Sequence, residues 1–282
     1  MSNTIDSALI ADSIAAQTKT VLSNRLAALS LFASDFSSEV RKPKDTIHVP
    51  VASATASTQV NPTSFNSIGG TTLGKISVSL DHIYQPFGLA YSDLQSAQRL
   101  DRMVQVNVNA LADKIWALAT APVTTSNFGA ATVTSAESDI NPTSGDLPLL
   151  WAEVHKSAQK GLVVSPIIYS NLIPTNTQGL SLGAGAYGFE NGVFYASSFG
   201  GQTGLKGFAC SSEALVMAAA TPALADNDYL VSDTVTLDGL GLSVSYNVYS
   251  DKSTRSLVAS LEVMFGAEAG LTDGSMALII PA

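Results

Sequence analysis

The chain has 282 residues, a net charge of −9 and one cysteine, Cys210, which excludes an intrachain disulfide and a cysteine-based metal site. Charged residues make up only 13% of it, about half the usual share, beside an ordinary 46% of apolar residues. Soluble monomers disperse themselves with surface charge, so this composition points to a surface covered largely by other chains.

Residues 4–34 read as helical. Ile10, Ile14, Val21, Leu22, Leu26 and Leu29 recur near a 3.6-residue period, and Thr18 and Thr20 divide the run into two shorter pieces. The segment has no partner beside it in sequence and is expected to pack on a neighbouring subunit, with Leu22 and Leu26 as interface candidates. Asp45–Ala54 alternates Ile47, Val49 and Val51 with Thr46, His48 and Ser53, which predicts a strand. Pro50 assigns it to an edge or a projection. Residues 54–73 are small and polar, and Gly74–Pro86 alternates again through Ile76, Val78 and Leu80. Together they predict a long hairpin. A loose tip of this length does not fit inside a compact domain, so it is read as an arm ordered against another subunit. Its contact candidates are Pro62, Phe65, Gly69 and Gly70.

Asp93–Thr120 carries Leu100, Met103, Val104, Val108, Leu111, Ile115 and Leu118 on one face. A capping box at Ser92 and Gln95 opens it and Pro122 closes it. At 1.5 Å per residue it predicts a helix of ~42 Å, more than twice the usual length. Residues 123–144 read as loop, Asp146–Gly161 as a helix with a glycine stop, 162–166 as a short buried strand and 166–174 as a short helix. Strands are expected over 192–199 and 204–211, and a helix over Ser212–Pro222. Asn227–Asp251 and Arg255–Pro281 are alternating runs broken by turns, with Asp226, Asp228, Asp233 and Asp238 as turn residues rather than calcium ligands.

Two catalytic signatures overlap in GLSLGAGAYGFENG, Gly179–Gly192. The nucleophile elbow, with Ser181 at its centre, needs a strand before it, a helix after it and a later histidine. Pro174 precedes it, and no histidine follows His155. The dinucleotide fingerprint starting at Gly183 needs a preceding strand and must open a helix, which so glycine-rich a run nucleates poorly. His48, His82 and His155 show no ligand spacing, and Glu153 and His155 point to different sides of a helix. No catalytic residue, metal ligand or cofactor is assigned. The glycines are read as backbone freedom, and Gly183, Gly185 and Tyr187 as contact candidates.

Charge and targeting narrow the partners further. Residues 1–114 carry nine Lys/Arg and nine Asp/Glu, and residues 115–282 carry five and fourteen. Tight nucleic-acid binding needs a basic face, and Arg41, Lys42 and Lys44 form the only basic cluster. No stretch approaches the ~20 apolar residues of a membrane span, and the start, MSNTIDSALIADS, does not read as a signal peptide. The chain is expected to be made in the cytoplasm and to have no membrane partner.

The order of elements is similar to that of tailed-phage major capsid proteins of the Hong Kong 97 type, along nearly the whole chain. NRLAALSLFASDFSSEVRKPKDTIHVPV resembles that family's entry from arm to hairpin, with Lys44-Asp45 where many relatives have Gly-Asp. ISVSLDHIYQPFGLAYSDLQSAQRLD resembles the descent into its spine helix. GLSVSYNVYSD and EVMFGAEAGLTDGSMALII resemble its last strands, with an aromatic-Gly pair at Phe265-Gly266.

The resemblance implies an α+β fold with an N-terminal arm (1–40), an extended β-hairpin loop (41–90), a peripheral domain with the spine helix (91–122 and 226–282) and an axial domain (123–225). It also implies a non-enzymatic coat protein that forms hexamers and pentamers of an icosahedral shell in the virion. The shell would surround double-stranded DNA without sequence-specific binding. Portal, scaffolding and decoration proteins are the further partners. Met1 points to no large cleaved scaffolding segment, hence to a separate scaffold. An encapsulin-like compartment and a Ser/Thr-rich surface-layer protein are the alternatives, the last lacking the export signal it needs.

Overall fold

A computed structural model describes residues 7–54, 71–89, 97–155, 157, 159–173, 185–223, 229–251 and 256–281. The Ser92/Gln95 box, the hairpin tip and residues 179–184 of the glycine run lie outside them.

Helix α1 (Ser7–Arg25) and helix α2 (Ala97–Thr120) lie against each other. The period read from the sequence explains why: Ile10, Ile14, Leu22 and Leu26 of the first segment and Leu100, Val104, Val108, Leu111 and Ile115 of α2 share one buried cluster. The first segment therefore packs on its own chain, not on a neighbour as expected. Helix α1 runs unbroken through Thr18 and Thr20, where a division was expected; the break comes after Arg25, where a 3-10 stretch, Ala27–Leu31, leads into strand β1 (Ala33–Arg41).

The hairpin is β2 (Thr46–Ala54) and β3 (Thr71–Ser79), in continuous antiparallel register from Thr46↔Ser79 to Ala54↔Thr71. It leads into β4 (Asp81–Leu89). Helix α3 (Thr125–Phe128), helix α4 (Asp146–Glu153), strand β5 (Lys160–Val164), helix α5 (Pro166–Leu172) and strand β6 (Val193–Tyr195) follow α2. The remaining strands are β7 (Gly207–Ser211), β8 (Leu215–Pro222), β9 (Tyr229–Thr236), β10 (Ser243–Asp251), β11 (Ser256–Ala269) and β12 (Met276–Ile279).

Strand β11 organises the larger sheet, whose order is β1-β8-β11-β10-β9 with β4 also on β11. Met264 pairs with both Ala220 and His82, and Phe265 with both Ala219 and Asp81. One residue cannot serve two partners on the same edge, so β4 and β8 flank opposite edges of β11. One face of the sheet, through Leu215, Met217, Leu261, Val263 and Phe265, meets α1 and α2. The other, through Val216, Ala218, Ala220 and Met264, meets Val49, Val51, Val78 and Leu80 of the hairpin root. The hairpin approaches closely because residue 266 is glycine: a Cβ there would lie 2.2 Å from the Ser79 carbonyl oxygen.

The smaller sheet runs β12-β7-β5-β6. Val163, Phe208, Cys210, Met276 and Leu278 join the main core. Leu162, Val164, Ala209, Ala277 and Ile279 face Leu147 and Leu150 of α4 and Ile168 and Leu172 of α5. Strands β5 and β6 are parallel and α5 lies between them in the chain, a βαβ unit.

Three expectations need correction. Ser212–Pro222 is not a helix but β8, buried along its length between β1 and β11. With both faces covered, a strand reads as an unbroken apolar run, and its alanines mimic helix composition. The helix expected over Asp146–Gly161 ends at Glu153. Gly161 belongs to β5, where a Cβ would lie 2.6 Å from Leu31. Asp233 lies within β9, opposite Tyr246, not in a turn; Asp238 lies in the turn after β9, while Asp226 and Asp228 fall outside the described residues. The layers also interleave along the chain: β1 and β8 belong to the sheet of β9–β11, and β12 to the sheet of β5–β7.

The end of α2 is closed by tertiary structure. Gly200 N–H donates to the Thr120 hydroxyl at 2.8 Å, and Gln202 N–H to the Val123 carbonyl at 2.9 Å. A Cβ at Gly201 would meet the Val123 carbonyl oxygen at 2.1 Å. Gly201→Ala is expected to lose about 2–4 kcal/mol by overpacking against backbone, seen as a lower denaturation midpoint at unchanged slope.

Candidate subunit-interaction surfaces

The hairpin root is built by one turn. Asp45 Oδ2 accepts from Lys42 N–H at 2.9 Å, Lys44 N–H donates to Leu80 O at 2.8 Å, and Leu80 N–H donates to Asp45 O at 2.9 Å. Lys44 has φ +70°, the left-handed conformation that favours glycine. Its ammonium pairs with Asp81. At this turn lysine holds a glycine-like conformation. Lys44→Gly is expected to change stability by less than about 1 kcal/mol, whereas the β-branched Lys44→Val loses about 1–2 kcal/mol. Chemical denaturation of the two variants separates the outcomes.

The hairpin root and its flanks carry Arg41, Lys42, Lys44 and Lys75, against Asp45 and Asp81. Beyond the root, the outer face of the large sheet is polar. Glu262 lies almost wholly buried: its Oε1 accepts from Asn247 Nδ2 at 3.0 Å and from the Ser260 hydroxyl at 2.9 Å, and its Oε2 lies 3.0 Å from His82 Nε2. Ser232 donates to Asn247 Oδ1 at 2.8 Å. Tyr84 lies alongside, its phenol pushed up to about 12 by its hydrogen bond with Tyr249, then by burial and the charge of Glu262. Hydroxyls, an amide and a satisfied carboxylate make this face polar.

In the smaller layer, Glu137 clasps the loop before α4 to the βαβ unit. Burial pushes its carboxyl up, but the Ser165 hydroxyl at 2.5 Å and the Lys206 ammonium at 2.9 Å outweigh that and hold it below the usual carboxylate range. Ser165 also caps α5. A carboxyl held low stabilises the fold above its unfolded pKa, and that stabilisation is lost as pH falls through the folded value. Glu137→Gln is expected to lose about 1–2 kcal/mol at pH 7, and the deficit shrinks below about pH 4, near the unfolded carboxyl value. Thermal unfolding across a pH series checks it.

The other end of that layer is apolar. Trp151 Nε1 donates to Gly188 O at 2.9 Å, and the Lys160 ammonium sits 3.5 Å from the centre of its ring. Burial lowers the Lys160 pKa, partly offset by the charge of Glu190. Leu149 and Trp151 there are 56% and 43% exposed, and Ile167 and Tyr195, at the end held by the Ser165 clasp, are 54% and 59% exposed. Sequence reading passed over these four, yet a signal was present. Leu147, Leu150 and Val154 are the buried spacing of α4, which leaves Leu149 and Trp151 on its outer side.

The candidates named from sequence are scattered. Leu22 and Leu26 are wholly buried within the chain and form no free surface. Pro62, Phe65, Gly69, Gly70 and Gly183 lie outside the described residues, as does Ser181. Gly185 (φ +82°) and Tyr187 (φ +53°) form a turn beside Trp151, with the Tyr187 hydroxyl donating to Leu172 O at 2.5 Å. The histidines stay apart: His48 meets Ser77 on the hairpin, His82 meets Glu262, and His155 packs on Gly274. Among the described residues no group of three His, Cys, Asp or Glu could hold a metal, and no helix is long and apolar enough to cross a membrane. Burial pushes the Cys210 thiol far up, so it is no nucleophile.

No family model and no curated sequence matches the chain. Solved structures do. A virus-like particle from Pyrococcus furiosus matches with TM-score 0.54 at 8% identity, over 94% of this chain and 98% of that one. The capsid of cyanophage A-1(L) matches with TM-score 0.53 at 13% identity, over 90% and 91%. The capsid of an empty GTA particle matches with TM-score 0.52 at 11% identity, over 92% and 90%. The chain has the Hong Kong 97 type capsid fold. In this capsid fold the hairpin and the long helix α2 are the features whose order was legible in sequence.

Proposed function

We propose that this chain is a major capsid protein that assembles with itself into hexamers and pentamers of an icosahedral phage head around double-stranded DNA. The observation that carries the reading is the likeness to shell proteins over nine-tenths or more of both chains. The composition supports it: a chain with 13% charged residues suits a surface covered by its own copies. The hairpin, ending in strands with free edges, suits strand contacts in trans. The acidic second half suits a wall that holds DNA without gripping it.

In this reading residues 1–40 and 41–90 are the arm and extended loop. Residues 91–122 and 226–282 are chiefly the peripheral domain and 123–225 chiefly the axial domain, with β8 and β12 exchanged between the layers. Portal, scaffolding and decoration proteins would be transient or peripheral partners, and the site of action is the virion shell. No catalytic step is assigned.

A second reading, a compartment that encloses protein, is favoured by the match to a virus-like particle of a cellular organism along 98% of that chain. Negative-stain microscopy of the purified chain, with and without co-expressed scaffold, tests both. Closed shells of uniform size are the expected result, and nuclease-protected DNA in them distinguishes a head from a compartment. Only small monodisperse species under both conditions would overturn the shell function.

A further inference from the structure

We propose that the free edge of β6 takes up an extended peptide of a partner protein as a fifth strand of the smaller sheet. The inference goes beyond the shell reading and does not depend on what the shell encloses. Strand β6 ends that sheet, whose order is β12-β7-β5-β6. Its inner edge is taken by β5. Leu162 N–H donates to the Gly192 carbonyl at 3.1 Å, and Ala196 N–H to the Val164 carbonyl at 3.0 Å. Successive residues of a strand turn their N–H and C=O groups to opposite edges. Val193 and Tyr195 therefore present theirs on the outer edge, and among the described residues no group pairs with them there.

That edge opens on a cleft of ≈ 250 Å³, and residues 193–197 all line it. A sheet face would show only every second residue, so the cleft runs along the edge of the strand. The opposite wall has two parts. Arg25, Ala27 and Ala28 come from the end of α1 and the 3-10 stretch, and Ala112, Asp113 and Trp116 from α2. Three alanines keep this wall short of side chains. The Arg25–Asp113 ion pair, at 2.9 Å, ties its two parts together, so little ordering is left for a partner to bring about. Val193 is only 3% exposed. Backbone groups so deeply placed are nearly always paired, with protein or with water, and an incoming chain can take the place of water.

The spacing of these groups specifies the occupant. Val193 and Tyr195 stand two residue steps apart, ~6.6 Å at ~3.3 Å per residue, and each offers one donor and one acceptor. A strand repeats its own donors and acceptors at that interval. A helix spends its backbone groups internally, and an anion has no donor for the two carbonyls. The added side chains alternate between two surroundings. On one side they meet Phe194, Ala28 and Trp116, which belong to the main core and select apolar residues. On the other they meet Tyr195 and Tyr169, whose rings lie 5.2 Å apart at an exposed position that accepts polar residues. Backbone pairing supplies the affinity of such a contact and the alternate side chains its specificity.

The test selects a displayed library of random octapeptides on the purified full-length chain, then measures the enriched peptides by calorimetry and amide exchange. Enriched sequences are expected to alternate apolar and polar residues. Binding should slow exchange of the Val193 and Tyr195 amides about tenfold or more. It should leave Phe194 and Ala196, already paired to β5, unchanged. Tyr195→Pro removes one outer-edge donor and is expected to weaken binding about tenfold. Tyr195→Val keeps the donor, loses the ring and should weaken it less than about threefold. Ala27→Phe, which fills the cleft from the far wall, should abolish binding at an unchanged melting temperature. Equal binding to the parent and to both Tyr195→Pro and Ala27→Phe overturns the inference. So does protection of the two amides in the peptide-free chain, or a selection that enriches nothing. The shell reading, tested by microscopy, stands in each of these cases.

Discussion

The larger sheet, the α1–α2 pair and the hairpin root all meet at β11. Its edges are taken by β10 and β8 on one side and β4 on the other, and its faces by the α1–α2 pair and the hairpin root. Such a strand has no freedom left: side chains alternate between two different cores, so a slip of one residue would put every one of them in the wrong core. At Gly266 the constraint is tightest, because the hairpin backbone occupies the space a side chain would need. The hairpin's direction of projection is thereby set by the sheet, not by the hairpin's own sequence. Under the proposed shell function, where contacts depend on the direction of the hairpin, that rigidity serves assembly.

The same principle recurs at a smaller scale. Gly200 and Gly201 lie on the last carbonyls of α2, so a chain segment eighty residues away packs onto the turn that ends the long helix. The Glu137–Ser165–Lys206 clasp and the Trp151–Lys160 stack hold the βαβ unit at its two ends. The surfaces left over include a polar sheet face and an apolar pocket beside Trp151.

Legibility in the sequence tracked how local the determining forces are. Helix α2 and the hairpin were read correctly because one face of each meets a core and the other does not, which writes periods of 3.6 and 2 into the residues. Strand β8 was misread because burial on both faces erases the period, leaving only alanine-rich composition. The end of α4 was misread because the chain leaves the helix toward a distant partner, His155 N–H donating to the Gly274 carbonyl at 3.0 Å. The interface candidates fared worst. Leu22 and Leu26 were apolar for an internal partner, α2, which lies far along the chain, while the exposed Leu149, Trp151, Ile167 and Tyr195 look like core residues in a linear reading.

By itself the sequence determined the low charge, the acidic second half, and the succession of first helix, hairpin, long helix and strands. Those depend on residue type and short-range spacing. Only the tertiary structure decided which strands share a sheet, that β8 and β12 exchange layers, that Lys44 adopts a glycine's conformation, and which apolar residues remain outside. Those outcomes depend on approaches between segments distant in the chain, where a missing Cβ or a paired edge settles the matter and no local pattern records it.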